Sequence, residues 1–202
     1  KALGRAQAPD LARRSLQLIR ESGARTLNLD LIYGTRGQTV ESWQYSLEEA
    51  LRFEPEEIYL YPLYVRPLTG LGRSDKEWDD DRLALYQHGR DLLRAQGYEQ
   101  VSMRMFRLPR PAQKAPPYRC QSDGMVGLGP GARSYTRDVH YSCDFAVGRS
   151  GVSAILEDYI GRSEADFARV DYGVALDGHE RLLRDAILSL LSDEGLPYAL
   201  FS

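Results

Sequence analysis

Leu27-Asn28-Leu29-Asp30-Leu31-Ile32-Tyr33-Gly34-Thr35-Arg36-Gly37-Gln38-Thr39 is the stretch that decides the fold. A strand-like run ends in Tyr-Gly, crosses a tight polar turn and meets a helix start at Thr39. Period-two alternation sets Asn28 and Asp30 on one face of the strand and the leucines on the other. In α/β proteins, ligands sit at the carboxyl ends of parallel strands. A carboxylate on the inner face near that end is therefore a ligand-facing residue. The competing reading, an exposed Asp on an edge strand, is the weaker one in a β/α context.

Working outward, helix and strand alternate. A first helix is expected from about Pro9 to Ser22, with Pro9 in its first turn, Leu11, Leu18 and Ile19 as its apolar stripe, and Gly23 ending it. Thr39 caps a second helix that carries Val40, Trp43, Leu47 and Leu51 on one face and Glu41 near its positive end. Pro55 separates it from a strand, Glu57 to Pro62. A third helix is expected from about Trp78 to Gln96, with Leu85, Gly89, Leu92 and Leu93 inward and Gly97 as its stop. A strand Val101 to Phe106 follows. This alternation indicates an α/β fold with a parallel sheet and helices packed outside it.

Residues 108–119, Leu-Pro-Arg-Pro-Ala-Gln-Lys-Ala-Pro-Pro-Tyr-Arg, are too rich in proline for a helix or a central strand. They read as a surface crossing open to proteolysis near Arg110 or Lys114. Beyond them come a glycine-rich stretch, Gly124 to Tyr135, and a hairpin-like segment, Val139 to Val147. Two helices close the chain, one carrying Val152, Ile155, Leu156 and Tyr159, the other Leu183, Ile187, Leu190 and Leu191.

Composition narrows the class. The 202 residues suffice for one domain with a core and a small appendage. A net charge of −3 gives no nucleic-acid surface, and no run of eighteen apolar residues offers a membrane span. No signal peptide is read, and a reducing cytoplasm is the expected compartment. Cys120 and Cys143 form neither a disulfide framework nor a metal-ligand spacing, and His88, His140 and His179 fit no zinc pattern. The chain opens at Lys1 without a methionine and stops just after a helix, so both ends are expected to be cuts through a longer protein.

Several groups could carry chemistry. Gly127-Leu-Gly-Pro-Gly131 is neither a Walker A loop nor a dinucleotide fingerprint. It is a tight turn needing unusual backbone angles, or a place where backbone approaches a ligand. Arg5, before the first helix, is a surface arginine or the partner of an acidic cofactor group. Arg104 shares a strand face with Ser102 and can enter the cavity that Asp30 faces. A buried arginine requires an anion, and either a structural or a substrate carboxylate would serve. Tyr59, Tyr61 and Tyr64 crowd one strand end, where tyrosines more often pack than react. No nucleophile triad is recognisable, and no catalytic residue is assigned.

Taken together and in order, Asp30-Leu-Ile-Tyr-Gly with Gly37-Gln-Thr-Val-Glu-Ser-Trp43, then Ile58-Tyr-Leu-Tyr-Pro-Leu63, then Gly127-Leu-Gly-Pro-Gly-Ala-Arg-Ser-Tyr135, resemble the radical SAM family of oxygen-independent coproporphyrinogen III oxidase-like proteins, haem-chaperone relatives included. The wording Tyr61-Pro-Leu-Tyr-Val-Arg-Pro-Leu-Thr-Gly70 and Ser102-Met-Arg-Met-Phe106 departs from the true oxidases and looks like a side branch. The resemblance implies a partial (β/α)6 barrel, S-adenosylmethionine and a [4Fe-4S] cluster. The family's Cys-x3-Cys-x2-Cys cluster motif is absent here, so the chain itself holds no metal ligands. Residues 1–135 then correspond to the second half of the barrel and 136–202 to the start of the family's carboxyl-terminal domain. Asp30 matches the strand-end aspartate that contacts S-adenosylmethionine, and Arg5 an arginine that also contacts it. Tyr64 falls where a residue lines the same site, and Arg133 at a further lining position where relatives carry other residues. The glycine cluster moves into the cofactor shell on the same ground. The implied activity is radical oxidoreductase chemistry on a small molecule, a tetrapyrrole in porphyrin biosynthesis being the family's substrate. A haem-binding chaperone and a radical SAM C-methyltransferase are the alternatives.

Overall fold

The computed structural model describes residues 8–65, 72, 80–109, 124–145 and 149–198. The chain divides into two compact units, Lys1–Ala112 and Gln113–Ser202.

The first unit is a four-stranded sheet with helices on one face. Its elements are α1 (Pro9–Glu21), β1 (Asn28–Tyr33), α2 (Val40–Leu51), β2 (Glu57–Pro62), α3 (Arg82–Ala95), β3 (Glu99–Gln100) and β4 (Met105–Arg107). The strand order is β1-β2-β4-β3. β1 and β2 run parallel, Asn28 opposite Glu57 through Tyr33 opposite Pro62.

Local chemistry accounts for the turn into α2. The Thr39 hydroxyl accepts from the Ser42 amide at 3.2 Å and the Ser42 hydroxyl accepts from the Thr39 amide at 2.9 Å. This reciprocal box satisfies two donors that a helix start leaves orphaned. α2 then buries Trp43 and Leu47, and α3 buries Leu85 and Leu93, against Tyr33, Ile58, Leu60 and Phe106 of the sheet. Leu47, Ile58, Leu60 and Leu93 are fully buried, each worth about 1.5–3 kcal/mol of apolar burial. The Trp43 indole N–H donates to the Leu85 carbonyl at 2.9 Å. Gly89 makes room for that ring, since a Cβ there would lie 2.9 Å from the indole nitrogen.

The strand expected from Val101 to Phe106 is replaced by an antiparallel pair. β4 runs antiparallel to β2, Glu57 opposite Arg107 and Tyr59 opposite Met105, and also antiparallel to β3. The cause is local. The Ser102 hydroxyl accepts from the Met105 amide at 3.1 Å, and a serine bonding its own neighbourhood competes with an extended ladder. The sheet is thus mixed rather than wholly parallel. The apolar stripe of α1 also departs from expectation: Leu11, Leu18 and Ile19 are exposed, and arginines join α1 to the unit. Arg13 pairs with Glu49 at 2.6 Å, and Arg20 pairs with Glu56 at 2.9 Å while donating to the carbonyls of Phe53 and Glu54.

Glu56 gives the first unit a pH dependence. Burial by itself raises its carboxyl, but the Arg20 guanidinium and the Leu27 amide, 2.6 Å away, outweigh that and hold it below its usual value. A depressed carboxyl contributes stability that is present above its unfolded pKa of about 4.3 and lost as pH falls through the folded value. Glu56→Gln is expected to cost about 1–3 kcal/mol at pH 7. Its denaturant midpoint should then approach that of the parent as pH falls below the unfolded value of about 4.3; a gap that stays constant until both proteins unfold in acid would refute the assignment.

The second unit holds β5 (Arg133–Tyr135), β6 (Val139–Ser142), α4 (Arg149–Gly161), a 3-10 turn (Glu164–Ala168), β7 (Tyr172–Ala175) and α5 (Gly178–Leu190). Its sheet is antiparallel in the order β5-β6-β7. The hairpin expected within Val139–Val147 instead turns at Thr136–Val139, because Thr136 and Val139 bond each other through backbone and hydroxyl at 2.9 Å. The glycine-rich stretch joins this unit, Met125 pairing with Tyr135 in both directions at 2.8 Å. The helix start expected at Trp78 and most of the proline-rich segment, residues 110–119, lie outside the described residues.

Candidate functional site

The helix-free face of the first sheet is where polar side chains collect. Asn28, Asp30 and Ile32 are exposed on it, while Leu29, Leu31 and Tyr33 turn toward the helices. Across the parallel register Asp30 stands beside Tyr59 and Ile32 beside Tyr61. The two tyrosine rings stack at 6.1 Å with planes 11° apart, and the Tyr59 hydroxyl donates to the Met105 sulfur at 3.1 Å. Toward the amino end of β2, Glu57 is taken up by Arg107 at 3.1 Å. Asp30 contacts only the Asn28 amide, at 3.4 Å, and no cation pairs with it among the described residues. Asp30 is thus the third of six residues in β1, exposed on a strand at the edge of the sheet, and among the described residues no cation occupies its carboxylate.

The turn beyond β1 is built closely. Gly34 is buried at φ +80°, and a Cβ on it would fall 2.3 Å from the Arg82 side chain. The amides of Gly34 and Thr35 both donate to the Gln38 side-chain oxygen, at 2.7 and 3.2 Å. Arg82 is gripped by Asp80 at 2.5 and 2.6 Å and donates to the Leu63 carbonyl at 3.2 Å. The Arg82 guanidinium holds the Asp80 carboxyl down at about 2. Leu63 in turn donates to the Tyr33 carbonyl at 2.8 Å, extending the β1–β2 pairing to the end of the face. Burial and the neighbouring Tyr86 and Tyr64 raise the Tyr33 phenol, against the pull of Arg104 and Arg82.

Arg104 and Tyr64 complete this end. The Arg104 guanidinium lies over the rings of Tyr61 and Tyr64, 5.4 and 5.9 Å from their centres. One of its terminal nitrogens donates to the Tyr64 hydroxyl at 3.3 Å.

Of the four residues expected to face the cofactor, Asp30 and Tyr64 lie in the first unit, Asp30 on the open sheet face and Tyr64 exposed just past β2. Arg5 lies outside the described residues. Arg133 opens β5 in the second unit, exposed and in register with Ser142. The glycine cluster has a structural reason of its own. A Cβ on Gly127 would meet the Arg133 carbonyl at 2.5 Å, and Gly129 and Gly131 hold φ +97° and +71°. Sequence reading missed Gln38 and the Asp80–Arg82 clamp. The only signal was an amide side chain just before a helix cap, and acid and base two apart ahead of a helix. Among the described residues no group of three His, Cys, Asp or Glu could hold a metal ion. Cys143 is a free thiol, and no described helix is long and apolar enough to cross a membrane.

No family model matches the chain. Among curated proteins it is similar to the haem chaperone HemW of Escherichia coli, 33% identical over 141 residues, 65% of this chain and 35% of that protein. It is also similar to the oxygen-independent coproporphyrinogen III oxidase of Pseudomonas aeruginosa, 29% identical over 191 residues, 91% of this chain and 39% of that enzyme. The chain thus spans little more than a third of the length of these relatives. A solved structure of the Escherichia coli coproporphyrinogen III oxidase HemN, described as a radical SAM enzyme, matches with a TM-score of 0.73 at 23% identity. That match covers 98% of this chain and 48% of the other. The fold is therefore the mixed α/β fold of that structure, of which a stretch this long makes a partial barrel.

Proposed function

We propose, from its similarity to the oxygen-independent coproporphyrinogen III oxidases and the haem chaperones HemW, that the chain is part of a radical SAM enzyme. The open face around Asp30 contacts S-adenosylmethionine. One observation carries the reading: an exposed carboxylate with no cation among the described residues, on a parallel strand that leads into a turn whose amides are already bonded. When bound and given one electron by a reduced [4Fe-4S] cluster, S-adenosylmethionine would supply a 5′-deoxyadenosyl radical and methionine, and this chain's residues would orient the cofactor and the substrate. Asp30 accepts hydrogen bonds from a positively polarised part of the cofactor, Tyr64 lines the same face of the first unit, and by the resemblance Arg5 is a further contact. The residues here do not suit the [4Fe-4S] cluster, which asks for three thiolates converging on one site, so in this reading its ligands lie outside these 202 residues. The substrate is a small molecule, with a tetrapyrrole suggested by the relatives' names.

Asp30→Asn in the longer protein is expected to weaken S-adenosylmethionine binding by about tenfold to a hundredfold, the loss of a charged hydrogen bond worth roughly 1.5–3 kcal/mol. Calorimetry that finds unchanged affinity would put Asp30 outside the cofactor shell. The similarity to HemW favours a second reading, delivery of haem on the same fold. Haem titration followed by visible absorption separates the two. Stoichiometric binding supports the chaperone; cofactor cleavage without haem binding supports the enzyme.

A further inference from the structure

We infer that Arg104 receives a carboxylate of the substrate. The sequence leaves two anions open for this arginine, one structural and one brought by a ligand, and the geometry points to the second. No carboxylate lies within ion-pair range of Arg104 among the described residues. Its terminal nitrogen reaches only a neutral acceptor, the Tyr64 hydroxyl at 3.3 Å, and its Nε is buried with no hydrogen-bond partner. The contrast with nearby arginines is plain: Arg20 is held by Glu56, Arg82 by Asp80 and Arg107 by Glu57. A guanidinium set against two aromatic faces has given up water on those sides. Its terminal N–H groups, which meet no carboxylate among the described residues, can take one through two parallel hydrogen bonds.

The place is as telling as the vacancy in its bonding. Tyr61, beneath the guanidinium, stands next to Ile32 in the register, on the face where Asp30 stands beside Tyr59. Tyrosine rings floor this face, with a cation at one end and a carboxylate farther along it. A ligand whose positive part meets Asp30 and whose neighbour carries a carboxylate would use both. The inference rests on reading this face as ligand-facing and adds the chemistry of the second molecule bound there.

The test uses the uniformly 15N-labelled full-length protein and sodium acetate as probe. The Arg104 Nε–Hε resonance is identified by its absence in Arg104→Lys. Acetate is expected to displace it saturably, chloride at equal ionic strength to leave it in place, and the paired Arg20 Nε to stay still in both. S-adenosylmethionine alone should not move it, and acetate should still do so afterwards. An unresponsive resonance, an equal response to chloride, or displacement by S-adenosylmethionine that abolishes the acetate response would overturn the assignment. Failure of this assignment with cofactor binding intact leaves the role of Asp30 standing. An acetate response in a protein that does not bind S-adenosylmethionine would instead remove the role of Asp30 and support Arg104 as the carboxylate receptor.

Discussion

Anaerobic reconstitution of these 202 residues with iron, sulfide and S-adenosylmethionine is expected to give neither the visible absorption of a [4Fe-4S] cluster nor any 5′-deoxyadenosine. A radical SAM cluster leaves one iron open and needs three protein thiolates on the others, and the chain has two cysteines, Cys120 and Cys143. Cys143 follows β6 in the second unit, a small antiparallel sheet rather than a parallel strand end. The effect is all or none, because two thiolates cannot hold the site that three define. Electron paramagnetic resonance of the reduced sample and chromatography of the nucleosides make the check. A stoichiometric cluster on this chain alone would overturn the reading of the chain as a part whose cluster ligands lie elsewhere, and demand a role for both cysteines.

Trp43→Ala is expected to cost about 3–5 kcal/mol, the largest loss of stability we anticipate from a single change in the first unit. The ring is 1% exposed and touches Tyr33 at 5.8 Å between centres. Its N–H is engaged by the Leu85 carbonyl, so truncation leaves a cavity and removes a buried hydrogen bond together. Trp43→Phe should recover most of the packing and lose the hydrogen bond, leaving a cost of about 1–2 kcal/mol. Urea unfolding of the two variants separates the contributions. Equal losses would mean that the hydrogen bond, not the volume, dominates.

Sequence made β1 and its turn legible because their determinants are local. Alternation placed Asn28 and Asp30 opposite the leucines, and Thr39 ahead of an apolar-periodic run is a capping signal that α2 uses. The same local reasoning failed at Val101–Phe106, where a single serine hydroxyl redirects the chain and inverts the strand that follows. β7 was not foreseen, since Tyr172–Ala175 is exposed along its length and carries no alternation of burial. The pairing of Arg20 with Glu56 joins residues thirty-six apart in the chain, and no spacing rule reaches that far. For Arg104 the sequence supplied the question, which anion it meets. Only the placement of Tyr61, Tyr64 and the surrounding acids narrowed the answer.

The Gln38 side chain, lodged between the amides of Gly34 and Thr35, has a thermodynamic consequence for recognition. It occupies the donors that a loose loop would otherwise offer to solvent or to a passing anion, and it does so before any ligand arrives. A molecule docking on Asp30 therefore meets a rim with little conformational freedom left to surrender. Freezing a mobile segment on binding consumes part of the gross interaction energy. Here that entropy was already lost when the chain folded. Association at this rim should accordingly proceed by rigid docking, with a heat-capacity change that reflects the surface covered and little more.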